Sequence, residues 1–112
     1  MKKLFVSVPM RGRTEEEIKN NMDYMHNIAE AAFGEDLEMI DNTYIDYDAP
    51  DGSIKSVWYL GESLKKLATA DCFIGVADGE LVKTYTGCFI EGAVAMEYGI
   101  PHYFISSKRL GI

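Results

Sequence analysis

A chain of 112 residues, 47% hydrophobic and 26% charged, has the composition of one folded soluble domain and no length for a second core. Its 18 acidic residues outnumber 11 basic ones for a net charge of −7, and no Lys/Arg cluster occurs. A nucleic-acid polymer is therefore excluded as a partner, because a phosphate backbone calls for clustered cations. No run approaches the roughly 20 apolar residues that a membrane span needs, so no membrane association is expected.

The opening MKKLFVSVPM starts like a secretory signal, but its apolar stretch is short, and Pro9, Arg11 and Arg13 end it. A cytoplasmic protein is expected. Within that stretch Leu4 to Val8 is a β-rich run suited to a strand buried on both faces, with Ser7 its one polar interruption. The loop PMRGR follows. Thr14-Glu15-Glu16-Glu17 then spells a capping box. Behind it Ile18, Met22, Met25, Ala29, Ala32 and Phe33 recur at helical spacing up to Gly34, a natural stop.

Leu37 to Ile40 is a second short strand ending at Asp41-Asn42, and the acidic stretch TYIDYDAPDGS after it reads as a loop. Val57, Leu60, Leu64 and Leu67 mark a second helix from about Lys55 to Ala70. Cys72 to Ala77 is another doubly buried strand, and the loop DGELVKTYT leads into a third helix, TGCFIEGAVAMEY, that ends at Gly99. Pro101 introduces a last strand, HYFIS. Cys72 and Cys88 lack metal-ligand spacing and read as small core hydrophobes; no metal or cofactor is expected. His26 and His102 have no partners at readable spacing and receive no role.

The alternation β-α-β-α-β-α-β predicts an α/β fold: a small doubly wound, flavodoxin-like or Rossmann-like parallel sheet of four to five strands with helices on both faces. Ligands of such folds sit beyond the strands' C-terminal ends at the switch in strand order. Three loops should meet there, spanning Pro9 to Arg13, Asp41 to Ser56 and Asp78 to Gly87. Within them Pro9, Met10, Arg11, Gly12 and Arg13 can hold a phosphate or sugar beside a helix start, or can be a solvated loop. Asp41, Asn42 and Gly87 border the same edge. Tyr44, Tyr47 and Trp58 can stack on a base, although core packing is the stronger reading of Trp58.

The motifs of better-known users of this fold are missing. There is no acidic pair after the first strand as in a receiver domain, no phosphatase cysteine and no Gly-x-Gly-x-x-Gly. Four segments instead resemble the nucleoside 2-deoxyribosyltransferase superfamily, and within it a small phage-associated branch of unknown function. They are LFVSVPMRGRTEEEI, GEDLEMID, VWYLGESLKKLATADCFI and TGCFIEGAVAMEYGIP, in that order through nearly the whole chain. The resemblance implies that Glu91 stands where the family has its catalytic nucleophile. A retaining exchange at an anomeric carbon needs such a carboxylate to form a glycosyl-enzyme intermediate. Placed in the first turn of its helix, Glu91 would be kept ionised by the helix dipole; an exposed first-turn glutamate with no function fits that placement too.

The family's second acid, which serves the leaving base, corresponds here to Ser63, with Glu62 beside it and pointing elsewhere. Asp78 is the alternative acid. Two functions are therefore expected. One is cleavage or exchange of an N-glycosidic bond in a nucleoside or nucleotide. The other is a non-catalytic protein that sequesters a nucleotide-like signal, as a phage anti-defence sponge would. The resemblance and the small size also imply a homodimer or higher homo-oligomer.

Overall fold

The protein is described from a computed structural model covering residues 1–42, 48–78 and 84–112. Four strands form one all-parallel sheet in the order β2-β1-β3-β4: β1 is Lys2–Val6, β2 Leu37–Met39, β3 Cys72–Val76 and β4 His102–Ile105. Three helices connect them: α1 (Glu15–Phe33), α2 (Lys55–Leu67) and α3 (Thr86–Glu97). The chain steps from β1 outward to β2, then crosses back over β1 to β3 and on to β4. The reversal leaves a switch point between the C-terminal ends of β1 and β3.

Side-chain alternation along the central strands builds two cores. Leu4, Val6, Cys72 and Ile74 point to one face, where Met22, Met25 and Ala29 of α1 cover them. Phe5 and Phe73 point to the other, beneath Leu67 of α2 and Ala95 of α3. Their rings stack with centroids 5.9 Å apart. Leu4, Phe5 and Val6 are fully buried, as expected of a strand sandwiched between helix layers.

α1 begins and ends as its sequence dictates. The Thr14 hydroxyl accepts from the Glu17 N–H at 3.1 Å, and the Glu17 carboxylate reaches back to the Thr14 N–H. Gly34 closes the helix in the left-handed region at φ 73°. His26, in the middle of this helix, is partly buried and its Nε2 lies 2.7 Å from the Leu37 carbonyl, fastening α1 to β2.

The boundaries differ in places from those read in the sequence. β1 lies two residues earlier than Leu4 to Val8, because Pro9 ends the ladder, although the Ser7 N–H still bonds the Ile74 carbonyl at 2.9 Å. α2 stops at Leu67 rather than Ala70, and no fifth strand occurs among the described residues. A short 3-10 turn, Ser107–Leu110, follows β4 and packs Leu110 into the α1 core. No described helix is long and apolar enough to cross a membrane.

Candidate functional site

Glu91 projects from α3 toward the switch point. Its Oε1 accepts a hydrogen bond from the Ser7 hydroxyl at 2.7 Å, in the interior. The residue is 8% exposed. It stands in the second turn of α3, one turn deeper than the first-turn position expected, and no acid occupies that first turn. Burial therefore replaces the helix dipole as the dominant influence. Desolvation pushes the Glu91 carboxyl above its ordinary value, opposed by the hydroxyls of Ser7 and of Ser63 on α2. Among the described residues no cation pairs with it.

Gly92 explains how α3 comes so close. A Cβ there would stand 3.2 Å from the Phe104 ring of β4, so only glycine lets the helix settle at this depth without displacing that ring. The Phe104 ring in turn packs edge-on against Phe73. Gly92, the residue beside Glu91, thus leaves room for the Phe104 ring under this turn of α3.

Glu91 forms part of the wall of a cleft of about 590 Å³, within the range of small-molecule sites, about 300–1,000 Å³. All three expected loops contribute. Met10 and Arg11 come from the first, Asn42 and Ser56 from the second, and Thr84 to Gly87 from the third, with Val8 just ahead of the first. Ser63, Tyr59 and Leu60 of α2 complete one side. Arg11 is exposed at the rim and makes no ion pair with a described residue; its backbone carbonyl accepts from the Tyr85 hydroxyl at 3.3 Å. Asn42 is 4% exposed, and its side-chain N–H donates to the Val6 carbonyl at 3.3 Å. That carbonyl can only accept, so the amide orientation is fixed and Oδ1 has no partner among the described residues.

The remaining expected residues fall elsewhere. Pro9 is buried and lines a neighbouring groove, while Gly12 forms the turn at φ 75°. Arg13 pairs with Glu17 at 3.3 Å along α1. Asp41 is exposed outside the cleft, its carbonyl accepting from Lys66. Trp58 packs edge-on against Tyr59, and it is Tyr59 that reaches the cleft. Tyr44 and Tyr47 lie outside the described residues. Asp78 lines the neighbouring groove, where it accepts from the Ser107 N–H at 2.6 Å and caps the 3-10 turn. Its hydrogen bonds from Ser107 hold its carboxyl below the ordinary range, so at neutral pH it is a poor proton donor.

Two residues gain importance that the sequence hid. Ser7 looked like an interruption in a buried strand, and Ser63 like the place of a missing acid; both hydroxyls serve Glu91. Cys88, three residues before Glu91, lies on both cleft and groove. Burial pushes its thiol up to about 12, the Ser7 hydroxyl lowering it and the Glu91 charge raising it, so it is inert at neutral pH. Comparison with protein-family models, curated proteins and solved structures returned no match.

Proposed function

We propose that this chain binds a nucleoside or nucleotide in the switch-point cleft and cleaves or exchanges its N-glycosidic bond through Glu91. One observation carries the reading. Glu91 is a buried carboxylate that faces a ligand-sized cleft with two hydroxyls and, among the described residues, no cation to neutralise it. Burying an unpaired charge is costly, and a protein retains such a group where its reactivity is used. A sugar that develops oxocarbenium character at its anomeric carbon supplies the missing positive charge in the transition state.

In the reaction a Glu91 carboxylate oxygen attacks the anomeric carbon, the C–N bond breaks, and its electron pair leaves with the base. A glycosyl ester remains on Glu91. Water or a second base then attacks the same carbon and frees the carboxylate. The Ser7 hydroxyl keeps one oxygen fixed, and Arg11 at the rim offers a site for a phosphate on the substrate. Glu91 is the sole acid among the described cleft residues. The departing base then takes its proton from solvent, which favours substrates whose base leaves readily.

That lack of a second acid also favours the alternative, a protein that holds the nucleotide intact. The two readings separate on incubation with nucleosides, deoxynucleotides, dinucleotide cofactors and cyclic nucleotides. Free base released by the wild type and not by Glu91→Gln supports the enzyme. Thermal stabilisation with the ligand recovered intact supports the binder. Neither response to any compound overturns both.

A further inference from the structure

Asn42 is anchored one residue away from the group that fixes Glu91. Its side-chain N–H donates to the Val6 carbonyl, and the next residue, Ser7, donates its hydroxyl to Glu91. The Val6 bond carries the β1–β2 ladder one step further. The Ile40 N–H bonds the Leu4 carbonyl, and the Asn42 side chain serves the next outward carbonyl of β1. Asn42 and Glu91 thus hang from neighbouring residues of one strand end, and both line the cleft.

The ladder uses the amide N–H and leaves the amide oxygen over. Asn42 is 4% exposed, and its Oδ1 has no partner among the described residues. A buried acceptor without a donor is costly to keep. Among the described cleft residues, Asn42 Oδ1 and the ionised Glu91 carboxylate are the side-chain oxygens that accept and cannot donate. Glu91 already accepts from the Ser7 hydroxyl. Donors are plentiful by comparison. α2 and α3 both begin on the cleft with no side-chain cap and no acid in the first turn, and Arg11 stands at the rim. A ligand's acceptors are therefore well served, and its donor has Asn42.

We propose that Asn42 Oδ1 accepts a hydrogen bond from the 2′-hydroxyl of the bound sugar, so that the cleft takes ribosyl compounds in preference to 2′-deoxyribosyl ones. This rests on the nucleoside reading above and names its sugar. The carbon attacked by Glu91 is the anomeric one, and the 2′-hydroxyl is the sugar donor nearest to it. Hydrogen bonds at that position strengthen as positive charge grows on the ring. At 3.3 Å the bond to Val6 is long for N–H···O, so the amide turns Oδ1 toward the hydroxyl with little loss. A resemblance to deoxyribosyltransferases alone implies the opposite preference.

Matched pairs test it on the full chain: adenosine, uridine and their 5′-monophosphates, each against its 2′-deoxy counterpart. The readout is kcat/KM for base release, or Kd by calorimetry where the ligand is recovered intact. The wild type is expected to favour the ribosyl member of each pair about tenfold, the size of one net hydrogen bond. Asn42→Leu, which has no acceptor, is expected to treat both members alike. Asn42→Ala gives the same readout should Asn42→Leu not fold. A wild type blind to the 2′-hydroxyl overturns the proposal. So does a variant that weakens both members equally, since a purely structural Asn42 leaves the ratio unmoved. A ratio that moves for the adenine pairs alone places the donor on the base's amino group and also overturns it. Binding of none of these compounds overturns the nucleoside reading as well, whereas binding without discrimination overturns this inference only.

Discussion

The proposed chemistry rests on Glu91 and the Ser7 hydroxyl bonded to it. A carboxylate raised by burial is worth about 1.4 kcal/mol of stability for each unit of the rise. The sign follows from linkage. Glu91's folded-state value lies above its ordinary 4.5, so its contribution is fully present below that value and lost as pH rises through the folded value. Glu91→Gln is therefore expected to match the wild type in acid and to be the more stable protein at alkaline pH; thermal unfolding at both ends of the range checks this. Ser7→Ala removes a hydrogen bond to a charged group, typically about 1.5–3 kcal/mol. It is expected to raise Glu91 further, seen as a titration midpoint of its carboxyl resonance moved to higher pH. Glu91 was legible in the sequence as an acid in an apolar run. Its partners were not, because a serine in a buried strand has no periodicity that separates a hydrogen-bonding role from tolerance.

At the level of elements, the strongest local signals were also the most faithful. The capping box and Gly34 fix both ends of α1 through contacts within a few residues, and such contacts are written in adjacent letters. Thr14→Ala is expected to cost about 1 kcal/mol, a lowered melting temperature in calorimetry. The start of α3 at Thr86 agrees with the sequence reading, but Glu91 is the sixth residue of the helix and so stands in the second turn rather than the first. Gly92→Ala puts a methyl group 3.2 Å from that ring. It is expected to lift α3 and weaken the Glu91–Ser7 contact, giving a lowered turnover or ligand affinity with the circular dichroism spectrum unchanged. Likewise Trp58 was a candidate to stack on a base, with core packing its stronger reading, and helix phase gives the cleft to Tyr59.

For the whole molecule, doubly buried strands alternating with helices were sufficient to anticipate a parallel sheet and the meeting of its loops, since crossover geometry leaves few arrangements. Which loop residues face the cleft depended on side-chain packing and could not be read in advance. Two carboxylates pull the stability profile in opposite directions. Glu91 weakens the fold as pH rises above 4.5, whereas Asp78, lowered from 3.8 by Ser107, weakens it as pH falls through its folded-state value. Glu91→Gln/Asp78→Asn is expected to flatten the profile on both limbs, measured as melting temperature against pH. The Ser7–Glu91 hydrogen bond joins positions 84 apart in sequence, across the first strand and the last helix. A chain missing either end has lost the alcohol or the acid, and one caught part-way to the native state has both but no site. Occupancy of the cleft is thus a readout of complete folding: a ligand at 100 times its dissociation constant adds about 2.7 kcal/mol to the global unfolding free energy. Amide exchange should accordingly slow in β1 as much as in α3, though one helix alone carries the carboxylate.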